Sequence, residues 1–516
     1  MEEVAGTNGS LVVALFLAFC TVSAAWFYTA QKPPRRWPLL GFLPSSIYNY
    51  NDLYEWITHL LILSGGTVTH MKGPYLTNCV GTADSANVEY ILKIKSHNFV
   101  RGEYYRQVYR DVFGEMLIFL QDGENWKRTR TTVSTLFASA SFRNDVIRTT
   151  LNLVNQRLLP LFQRAAREGI ALDLVDVFQR YTFDSVSNLL LGFDPGSLAL
   201  DLPPIPFTEA FDRSIQASTR RFLLPALCWK TLRFLNLGME RQIRKDRSVV
   251  YDYIEEICAV KWREMQGQNN SADGQSCRPP AILPLLLQAE FEMNGCVYSE
   301  EELRAACVSI IMAGRDTTAT ALAWFFWILQ QHPRVEQNIL MELKGIINQR
   351  SQTAKDEKED PDPFSLDELK EMNYLQAALS ESMRLYTPVP VEVLEAAEDD
   401  ILPDGTRVKK GSTVMCLFYS MGRMESIWGK DCREFKPERW LENGKFKIKS
   451  ELVYPVFSAG PRRCLGREIA TVQMKWVTAS IIVRYCLKAV GGQRVVPKWG
   501  MMMGMDPGLK VRVYTR

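Results

Sequence analysis

The chain has 516 residues, of which 47% are hydrophobic and 23% are charged, and 61 basic against 58 acidic residues leave a net charge of +3. This composition is typical of a globular protein with a large core and excludes collagen-like or intrinsically disordered chains. A net charge this small gives no reason to expect a nucleic-acid partner.

An apolar stretch near the start has the length of a membrane span. Residues 11–28 read LVVALFLAFCTVSAAWFY and carry no charge; as a helix they would reach about 27 Å, close to the roughly 30 Å of a hydrocarbon core. Basic residues follow the stretch, which orients the body of the protein towards the cytosol. A cleaved signal peptide is the alternative, but it requires a basic start, and Glu2 and Glu3 stand there. We therefore predict a single-pass anchor over residues 1–30.

A proline-rich segment follows the anchor. Residues 32–44, KPPRRWPLLGFLP, hold four prolines and cannot form the interior of a helix. We predict a stiff hinge there and one catalytic domain over residues 31–516. Most of this domain shows helical patterns, and its strand signals are short. One of them is a hairpin in which residues 403–405, Pro-Asp-Gly, form the turn. The expected fold is mainly α with small β-sheets.

A long apolar helix predicted over residues 305–331 contains the first candidate site. It reads AACVSIIMAGRDTTATALAWFFWILQQ. A second membrane span is the alternative, but Arg315 and Asp316 at its middle cost about 2.5–3.5 kcal/mol each on insertion scales. Gly314 weakens a helix by about 1 kcal/mol relative to alanine, so it indicates a close approach to the backbone or an opening of the helix. With Asp316 and Thr317 beside it, the pattern indicates a site inside a buried helix.

Three charged residues indicate an ionic lock. Glu381 and Arg384 stand three apart in ALSESMRLYTP, on one face of a helix, and Arg439 follows in EFKPERW. One carboxylate between two guanidiniums can link distant segments through bidentate hydrogen bonds. The alternative is a surface ion pair, which contributes only about 0–1 kcal/mol.

A fourth pattern, GENWKRTR, places Trp126 and Arg130 four residues apart on one face of a helix. An indole N–H and a guanidinium there suit a carboxylate or another anion. This pattern is weak when it is taken by itself.

The stretch FSAGPRRCLG, residues 457–466, places a cysteine between glycines and arginines just before an apolar helix. Gly460 and Gly466 let the backbone approach a flat object closely, and Arg462 raises the positive potential. N–H groups at the helix start favour a thiolate at Cys464. The four histidines stand far away in the sequence, so Cys464 is interpreted as a ligand of a soft metal. A buried structural thiol is the alternative.

These four stretches resemble the signatures of cytochrome P450 monooxygenases, in the order and at the spacing of that family. They resemble, respectively, its oxygen-activation helix, its structural triad, its propionate-binding helix and its haem-thiolate loop. The stretch YSMGRMESIWGKDCREFKPERWLENG, residues 419–444, is more particular and resembles the plant fatty-acid ω-hydroxylase group. The resemblance covers residues 33 to about 510 and implies the cytochrome P450 fold.

The resemblance also implies a role for each residue. Cys464 would ligate the iron of haem b, and Asp316 and Thr317 would be the catalytic pair that delivers protons. Glu381, Arg384 and Arg439 would be structural. The residues implied at the cofactor are Trp126, Arg130, Ala313, Gly314, Phe457, Gly460, Arg462 and Gly466.

Two of these assignments are more specific. Trp126, Arg130 and Arg462 would pair with the haem propionates, and Gly314 would leave room for dioxygen. Ala313 stands where some related hydroxylases carry a glutamate that esterifies haem. We therefore expect haem b to be bound non-covalently.

The resemblance implies partners as well. Electrons would come from NADPH through a membrane-bound NADPH–cytochrome P450 reductase on the cysteine side. Anchor and hinge match the microsomal class, so the expected location is the endoplasmic reticulum membrane, with membrane lipid as a further partner. The candidate basic contacts for the reductase are Lys127, Arg128, Arg463 and Arg467.

Other functions of the same fold are alternatives. P450-like hydroperoxide dehydratases and lyases need no reductase, but they lack the acid–threonine pair and have a longer cysteine loop. A non-enzymatic haem-binding role leaves the pair of Asp316 and Thr317 without use. Consumption of oxygen and NADPH distinguishes these functions from a monooxygenase.

The expected substrate is a hydrophobic small molecule, and we predict ω- or in-chain hydroxylation of a medium- or long-chain fatty acid. Alkanes, sterol side chains and fatty-acyl-like hormone conjugates are the alternatives. Residues 391–393, Val-Glu-Val, depart from the small polar residues expected in the plant hydroxylases. Segments expected to line the channel are residues 96–109, 218–229, 387–394 and 499–505, and arginines expected to meet a carboxylate are Arg101, Arg106, Arg220 and Arg221.

Overall fold

The computed structural model describes residues 42–69, 78–114, 121–224, 226–268, 300–353 and 364–516. The predicted anchor and nearly all of the predicted hinge lie outside these residues. Among the helices described, none combines the length and the apolar character needed to cross a bilayer.

Helices dominate the described chain, as the sequence predicts. The α-helices are α1 (Leu43–Tyr48), α2 (Leu53–Leu63), α3 (Ser85–Glu89), α4 (Glu103–Phe113), α5 (Gly123–Ala138), α6 (Ala140–Leu153), α7 (Leu159–Glu168), α8 (Leu174–Val186), α9 (Pro206–Arg220), α10 (Ala226–Phe234), α11 (Gly238–Gln268), α12 (Glu300–Gln330), α13 (Pro333–Thr353), α14 (Leu366–Glu371), α15 (Asn373–Leu385), α16 (Phe418–Met421), α17 (Glu425–Trp428) and α18 (Arg467–Arg484). Short π-helical turns cover Tyr90–Ile94, Val154–Leu158 and Ser187–Leu191. Short 3₁₀ turns cover Tyr50–Asp52, Arg221–Leu223, Pro437–Trp440, Pro455–Phe457 and Gly460–Arg462.

The strands are short and form small sheets. They are β1 (Thr67–Val68), β2 (Cys79–Thr82), β3 (Phe99–Val100), β4 (Ala171–Asp173), β5 (Glu392–Ala396), β6 (Asp400–Ile401), β7 (Arg407–Val408), β8 (Thr413–Cys416), β9 (Leu441–Glu442), β10 (Lys445–Phe446), β11 (Tyr485–Ala489), β12 (Val496–Lys498), β13 (Gly504–Asp506) and β14 (Lys510–Thr515). One five-stranded sheet has the order β1-β2-β8-β5-β3, in which only β2 and β8 are parallel. A three-stranded sheet has the order β11-β14-β4, and the pairs β6/β7, β9/β10 and β12/β13 form two-stranded ladders.

The predicted hairpin is confirmed. Strands β6 and β7 pair antiparallel, with Asp400 opposite Val408. Gly405 in the turn has a φ of +83°, a backbone conformation that residues with a side chain rarely adopt. The turn therefore depends on glycine, which is the reason that the sequence pattern was informative.

Helix α12 runs through the core and is buried on most sides. Its residues Trp324, Phe325 and Phe326 are at most 2% exposed. The ring of Phe326 stacks on Phe178 of α8 at 5.5 Å. Because most of the helix packs against protein, its apolar composition reflects a buried core helix, as predicted.

Helix α15 begins at a carboxylate supplied by its neighbour. The backbone N–H groups of Tyr374 and Leu375 donate to Glu342 of α13 at 2.7 and 2.9 Å. These N–H groups have no partner within their own helix, so the carboxylate satisfies them and fixes where α15 starts. The helix then carries Glu381 and Arg384 into the core.

Candidate active site

One cavity of about 540 Å³ brings most of the predicted site residues together. The loop of residues 457–466, the middle of α12 and the helix α5 all line it. Gly460 and Asp316 are predicted site residues that stand outside the lining. Those on the lining are Trp126, Arg130, Ala313, Gly314, Thr317, Phe457, Arg462, Cys464 and Gly466.

The glycines of the cysteine loop have different surroundings. Gly460 has a φ of +63°, and a Cβ built on it would stand 2.2 Å from the carbonyl oxygen of Leu92. The close approach at Gly460 is thus to another segment of the chain, the turn Tyr90–Ile94, which explains the glycine without any ligand. A Cβ on Gly466 would stand 3.9 Å from the Sγ of Cys464, an ordinary contact distance.

The thiol of Cys464 faces the cavity from a closed loop. Its backbone N–H donates to the carbonyl of Phe457 at 2.8 Å, and the residue is exposed on the cavity side. Burial by the surrounding loop raises the pKa of the thiol, and the N–H of Gly466 and the charge of Arg130 only partly oppose this. The N–H groups at the helix start thus favour the thiolate, as expected, but burial outweighs them. Ligation of a metal would supply the rest, because it deprotonates a coordinating thiol.

Two predicted anion-binding guanidiniums lie on the ring of Trp126. The Cζ atom of Arg462 is 4.4 Å from the ring centroid, and that of Arg130 is 5.6 Å from it. Arg462 also donates to the carboxylate of Asp122 at 2.5 Å. Burial and the neighbouring charge of Arg101 lower the pKa of Arg462 to about 10. Burial is the larger cause of this lowered pKa, and the effect of Arg101 shows that guanidiniums cluster in this corner of the cavity.

Arg101 belongs to the same corner, a placement that the sequence motifs did not predict. Its guanidinium pairs with Glu392 of β5, and both side chains are nearly buried, at 12% and 11% exposure. The backbone N–H of Arg101 donates to Asp122 at 3.2 Å, and its buried Nε atom has no hydrogen-bond partner among the described residues. Helix α4 separates Arg101 from Trp126 in the sequence, and no motif spacing links the two residues. Only the fold shows that Arg101 lies in this corner.

The corner suits an anionic group. Asp122 accepts hydrogen bonds from Arg462 and Arg106, and Glu392 pairs with Arg101. Arg106 also pairs with Glu103 at 3.9 Å, and Arg130 donates to a backbone carbonyl instead of a carboxylate. Four guanidiniums thus face three carboxylates, so the corner keeps an excess of positive charge. Propionates are anions that guanidiniums bind well, so the residues present fit haem.

The absence of a side chain at Gly314 is required by helix packing. A Cβ on Gly314 would stand 2.6 Å from the Cγ2 and 3.1 Å from the Cβ of Val186 in α8. Both residues also line the cavity. The glycine therefore lets α8 and α12 pack closely beside the cavity, which is a reason in addition to the room for dioxygen that the resemblance implies.

The predicted catalytic pair has one member in the cavity and one behind it. The hydroxyl of Thr317 lines the cavity and donates to the carbonyl of Ala313 at 2.7 Å. Asp316 is 8% exposed and accepts a hydrogen bond from Arg315 at 2.9 Å. Burial raises the pKa of Asp316 to about 7; Arg315 opposes the rise and Asp212 adds to it. Close to neutral pH this carboxyl is therefore poised to gain or lose a proton.

The predicted ionic lock forms in the core beneath the site. Glu381 is fully buried and accepts two hydrogen bonds from Arg384, each at 2.8 Å, and one from Arg439 at 2.8 Å. The indole N–H of Trp440 donates to the same carboxylate at 2.9 Å. Trp440 is a fourth member that the sequence reasoning missed, although it directly follows Arg439.

Arginines expected to meet a substrate carboxylate are engaged elsewhere. Arg101 and Arg106 are held in the corner described above. Arg221 is fully buried and pairs with Asp111 at 2.8 Å and with Glu240 at 2.5 Å. Arg220 is exposed and does not line the cavity. The expected carboxylate clamp at the channel mouth is therefore wrong for these residues.

The rest of the lining is mainly apolar and aromatic, and all four predicted segments contribute to it. Charged side chains on the described lining are confined to Arg101, Arg130, Glu392, Arg462 and Arg463. The predicted segments supply Tyr104, Tyr105, Tyr109, Thr219, Phe222, Leu224, Pro388, Val389, Val391, Trp499, Met501 and Met502.

Comparison with known proteins gives matches over nearly the whole chain. The family model for cytochrome P450 matches residues 32–510. Cytochrome P450 86B1 of Arabidopsis thaliana is 41% identical, over 98% of this chain and 89% of the relative. Noroxomaritidine synthase 2 of Narcissus aff. pseudonarcissus MK-2014 is 34% identical, over 98% of this chain and 96% of the relative. Alkane hydroxylase MAH1 of Arabidopsis thaliana is 32% identical, over 98% of both chains.

Proposed function

The chain belongs to the cytochrome P450 family, and from this premise we propose that it hydroxylates a long aliphatic chain at or near its terminal carbon. The family's chemistry makes it a haem-thiolate monooxygenase. The observation that carries the substrate proposal is the single cavity in which Cys464 and Thr317 meet a lining that is otherwise mainly apolar and aromatic.

The residues present suit the family's haem b. When bound, haem would supply the activation of dioxygen, and a thiolate ligand favours O–O cleavage. Cys464 would provide the thiolate. Trp126, Arg130 and Arg462 would hold the propionates, and we add Arg101 to this set because its guanidinium belongs to the same positively charged corner. Ala313 offers no carboxylate for an ester bond, so we expect haem to be held without a covalent link.

Protons are handled by groups on α12. Asp316 holds a proton behind the cavity, and the hydroxyl of Thr317 stands on the lining where a proton is needed. The carbonyl of Ala313 orients that hydroxyl through a 2.7 Å hydrogen bond. The apolar lining keeps bulk water out, so protons reach the cavity through these side chains.

The shape and chemistry of the lining support an aliphatic substrate. Met501 and Met502 are flexible thioethers that adapt to a featureless chain, and the tyrosine and phenylalanine rings add apolar surface. A terminal methyl group has stronger C–H bonds than the methylenes beside it. Position within a narrow channel, and not bond strength, must therefore select the oxidised carbon.

The head group of the substrate decides between two candidates. A fatty acid is the first, on the resemblance of residues 419–444 to plant ω-hydroxylases. An alkane is the second. Four of the five charged side chains on the described lining belong to the corner around Trp126, and the fifth, Arg463, pairs with Glu451 at 3.5 Å, so none is left as a separate carboxylate site. The relative that is named an alkane hydroxylase is 32% identical to this chain.

A matched substrate panel tests the proposal. Microsomes that hold the protein and a reductase are given NADPH with a fatty acid, an alkane of equal chain length and a sterol. We expect a terminal or near-terminal alcohol from the fatty acid, and the alkane measures how much the carboxylate contributes to the KM. Turnover of the sterol alone would overturn the aliphatic proposal and leave the monooxygenase activity standing.

Electron supply and location are further parts of the proposal. We place an NADPH–cytochrome P450 reductase on the face next to the cysteine loop, where Lys127 and Arg463 are 62% and 56% exposed. The placement in the endoplasmic reticulum membrane is supported by the uncharged residues 11–28 and the basic residues that follow them. Charge reversal at Lys127 and Arg463 is expected to raise the reductase concentration at half-maximal turnover, most strongly at low salt.

A further inference from the structure

A buried guanidinium on α12 is shared between two carboxylates. Arg315 donates to both oxygens of Asp212 on α9, at 2.5 and 3.0 Å, and to one oxygen of Asp316 at 2.9 Å. The Arg315 side chain is 3% exposed. The bond to Asp212 is bidentate, whereas the bond to Asp316 is single, so Asp212 takes the larger share of the guanidinium.

The three groups connect the site to solvent. The side chains of Asp316 and Asp212 are 11% and 43% exposed. The hydroxyl of Thr182 in α8 lies 2.9 Å from the backbone carbonyl of Arg315 and 2.8 Å from that of Phe178, so its one proton is shared between the two helices. Asp212 thus meets solvent at one end of this cluster and Asp316 lies at its buried end, while the guanidinium between them stays charged and carries no proton itself.

We propose that Asp212 is a positioning residue for proton delivery: it holds the Arg315 guanidinium away from full pairing with Asp316 and so leaves Asp316 able to carry a proton. This inference rests on the proposed role of Asp316. Without Asp212, the planar fork of Arg315 is free to form a bidentate pair with Asp316. A carboxylate paired in that way keeps its charge and no longer accepts a proton at neutral pH.

The surrounding charges agree with this arrangement. Burial raises the pKa of Asp316 first of all; the charge of Arg315 lowers it, and that of Asp212 raises it further. From α8, Asp176 also acts on Arg315, and Arg180 balances Asp176 through a pair of 2.9 Å hydrogen bonds. Removal of Asp212 therefore lowers the pKa of Asp316 for two reasons: a negative neighbour is lost, and Arg315, which already donates one hydrogen bond to Asp316, is freed to pair with it more fully.

Asp246 of α11 also stands close to α9. It accepts its hydrogen bonds from Arg213 and Gln242 and none from Arg315. It is therefore no substitute for Asp212.

The test compares Asp212→Asn with two companions in the haem-loaded, full-length protein. Asp212→Glu keeps the carboxylate. Glu209→Gln is the matched control, because Glu209 lies on the same helix, is 63% exposed and pairs only with Arg213 at 3.5 Å among the described residues. Infrared pH titration follows the carboxylic-acid C=O band of Asp316, which is identified by its loss in Asp316→Asn. Product formed per NADPH is measured over the same pH range.

In the unmodified protein the infrared midpoint is expected near pH 7, since the pKa of Asp316 is about 7. Product per NADPH is expected to fall as the pH rises through this value, because Asp316 then loses its proton. Asp212→Asn is expected to move both midpoints down by about one pH unit or more. Asp212→Glu and Glu209→Gln are expected to stay near the original midpoints. An infrared midpoint that is unchanged in Asp212→Asn would overturn the inference.

Failure of the proposed function gives a different result. If Asp316→Asn forms as much product per NADPH as the unmodified protein, then Asp316 does not deliver the proton, whatever Asp212 does. If Asp316→Asn releases peroxide in place of product but Asp212→Asn keeps the original infrared midpoint, only the role of Asp212 is overturned.

Discussion

Burial and charge compete at the thiol of Cys464. The loop that surrounds the sulfur raises its pKa, although the N–H of Gly466 and the guanidinium of Arg130 favour the thiolate. A thiol that the protein holds neutral is nevertheless available to a metal, which lowers the pKa of a coordinating thiol far more than nearby dipoles do. The same loop leaves the sulfur exposed on the cavity side, so a metal in the cavity can reach it although the loop covers its other side.

Replacing Cys464 by serine is expected to abolish both turnover and the red-shifted Soret band of the carbon-monoxide complex. An alcohol is a poor iron ligand at neutral pH, and it cannot donate electron density as a thiolate does. Reduced, carbon-monoxide-treated protein is examined by absorption spectroscopy. Cys228→Ser serves as the control, because Cys228 is exposed and lies off the cavity. A Soret band in Cys464→Ser that matches the unmodified protein would show that another residue ligates the iron.

At the scale of single elements, the contact between α8 and α12 determines the shape of the cavity. The two helices are in close contact at Gly314 and Val186, where no room is left for a further methyl group. Glycine inside a helix costs about 1 kcal/mol relative to alanine. Close packing of the two helices offsets this cost, and Thr317, one turn further along α12, lies on the cavity lining.

Gly314→Ala is therefore expected to destabilise the protein, although alanine is the better helix former. Overpacking costs about 1–3 kcal/mol, which exceeds the gain of about 1 kcal/mol in helix propensity. The temperature of haem loss on heating is the measurement. Gly345→Ala in α13 is the control, since its Cβ meets no atom within 4 Å and should raise that temperature slightly. The double variant Gly314→Ala, Val186→Ala should recover the loss; no recovery would mean that the strain arises elsewhere.

At the scale of the whole molecule, one buried carboxylate joins segments that are distant in the sequence. Glu381 on α15 is bound by Arg384 of the same helix and by Arg439 and Trp440 of the turn Pro437–Trp440. Arg384 in addition donates to the carbonyls of Cys432 and Glu434. These hydrogen bonds bring the stretch before the cysteine loop onto the helical core, so the loop has a rigid base.

Glu381→Ala is expected to prevent accumulation of folded, haem-loaded protein. It leaves Arg384 buried without a carboxylate and leaves Arg439 with only Asp431 at 3.3 Å. Breaking a buried pair in this way costs about 3–5 kcal/mol, which is comparable to the stability of many domains. Yield of haem-loaded protein per cell is compared with Glu442→Ala, which removes an exposed pair with Lys447 and should change little. Normal yield and spectrum for Glu381→Ala would show that the lock contributes little to folding.

Local patterns in the sequence determined much of this protein. The turn at Gly405 and the helical periodicities were predicted correctly, because the backbone conformation and the apolar face of a helix depend on residues a few positions apart. The motifs around Cys464, Thr317 and Glu381 were equally readable, since each needs specific residue types at short, regular spacing.

Only the tertiary structure decided which charges meet. Arg101 pairs with Glu392 and Arg315 with Asp212, over separations of 291 and 103 residues. Three of the four arginines expected to hold a substrate carboxylate, Arg101, Arg106 and Arg221, are engaged in ion pairs with carboxylates of the protein instead. The reason for glycine at 460 also came from the fold, as the carbonyl of Leu92 fills the space. Contacts of this kind arise from how whole helices and strands pack, and a guanidinium gives no sign in the sequence of which distant carboxylate it will reach.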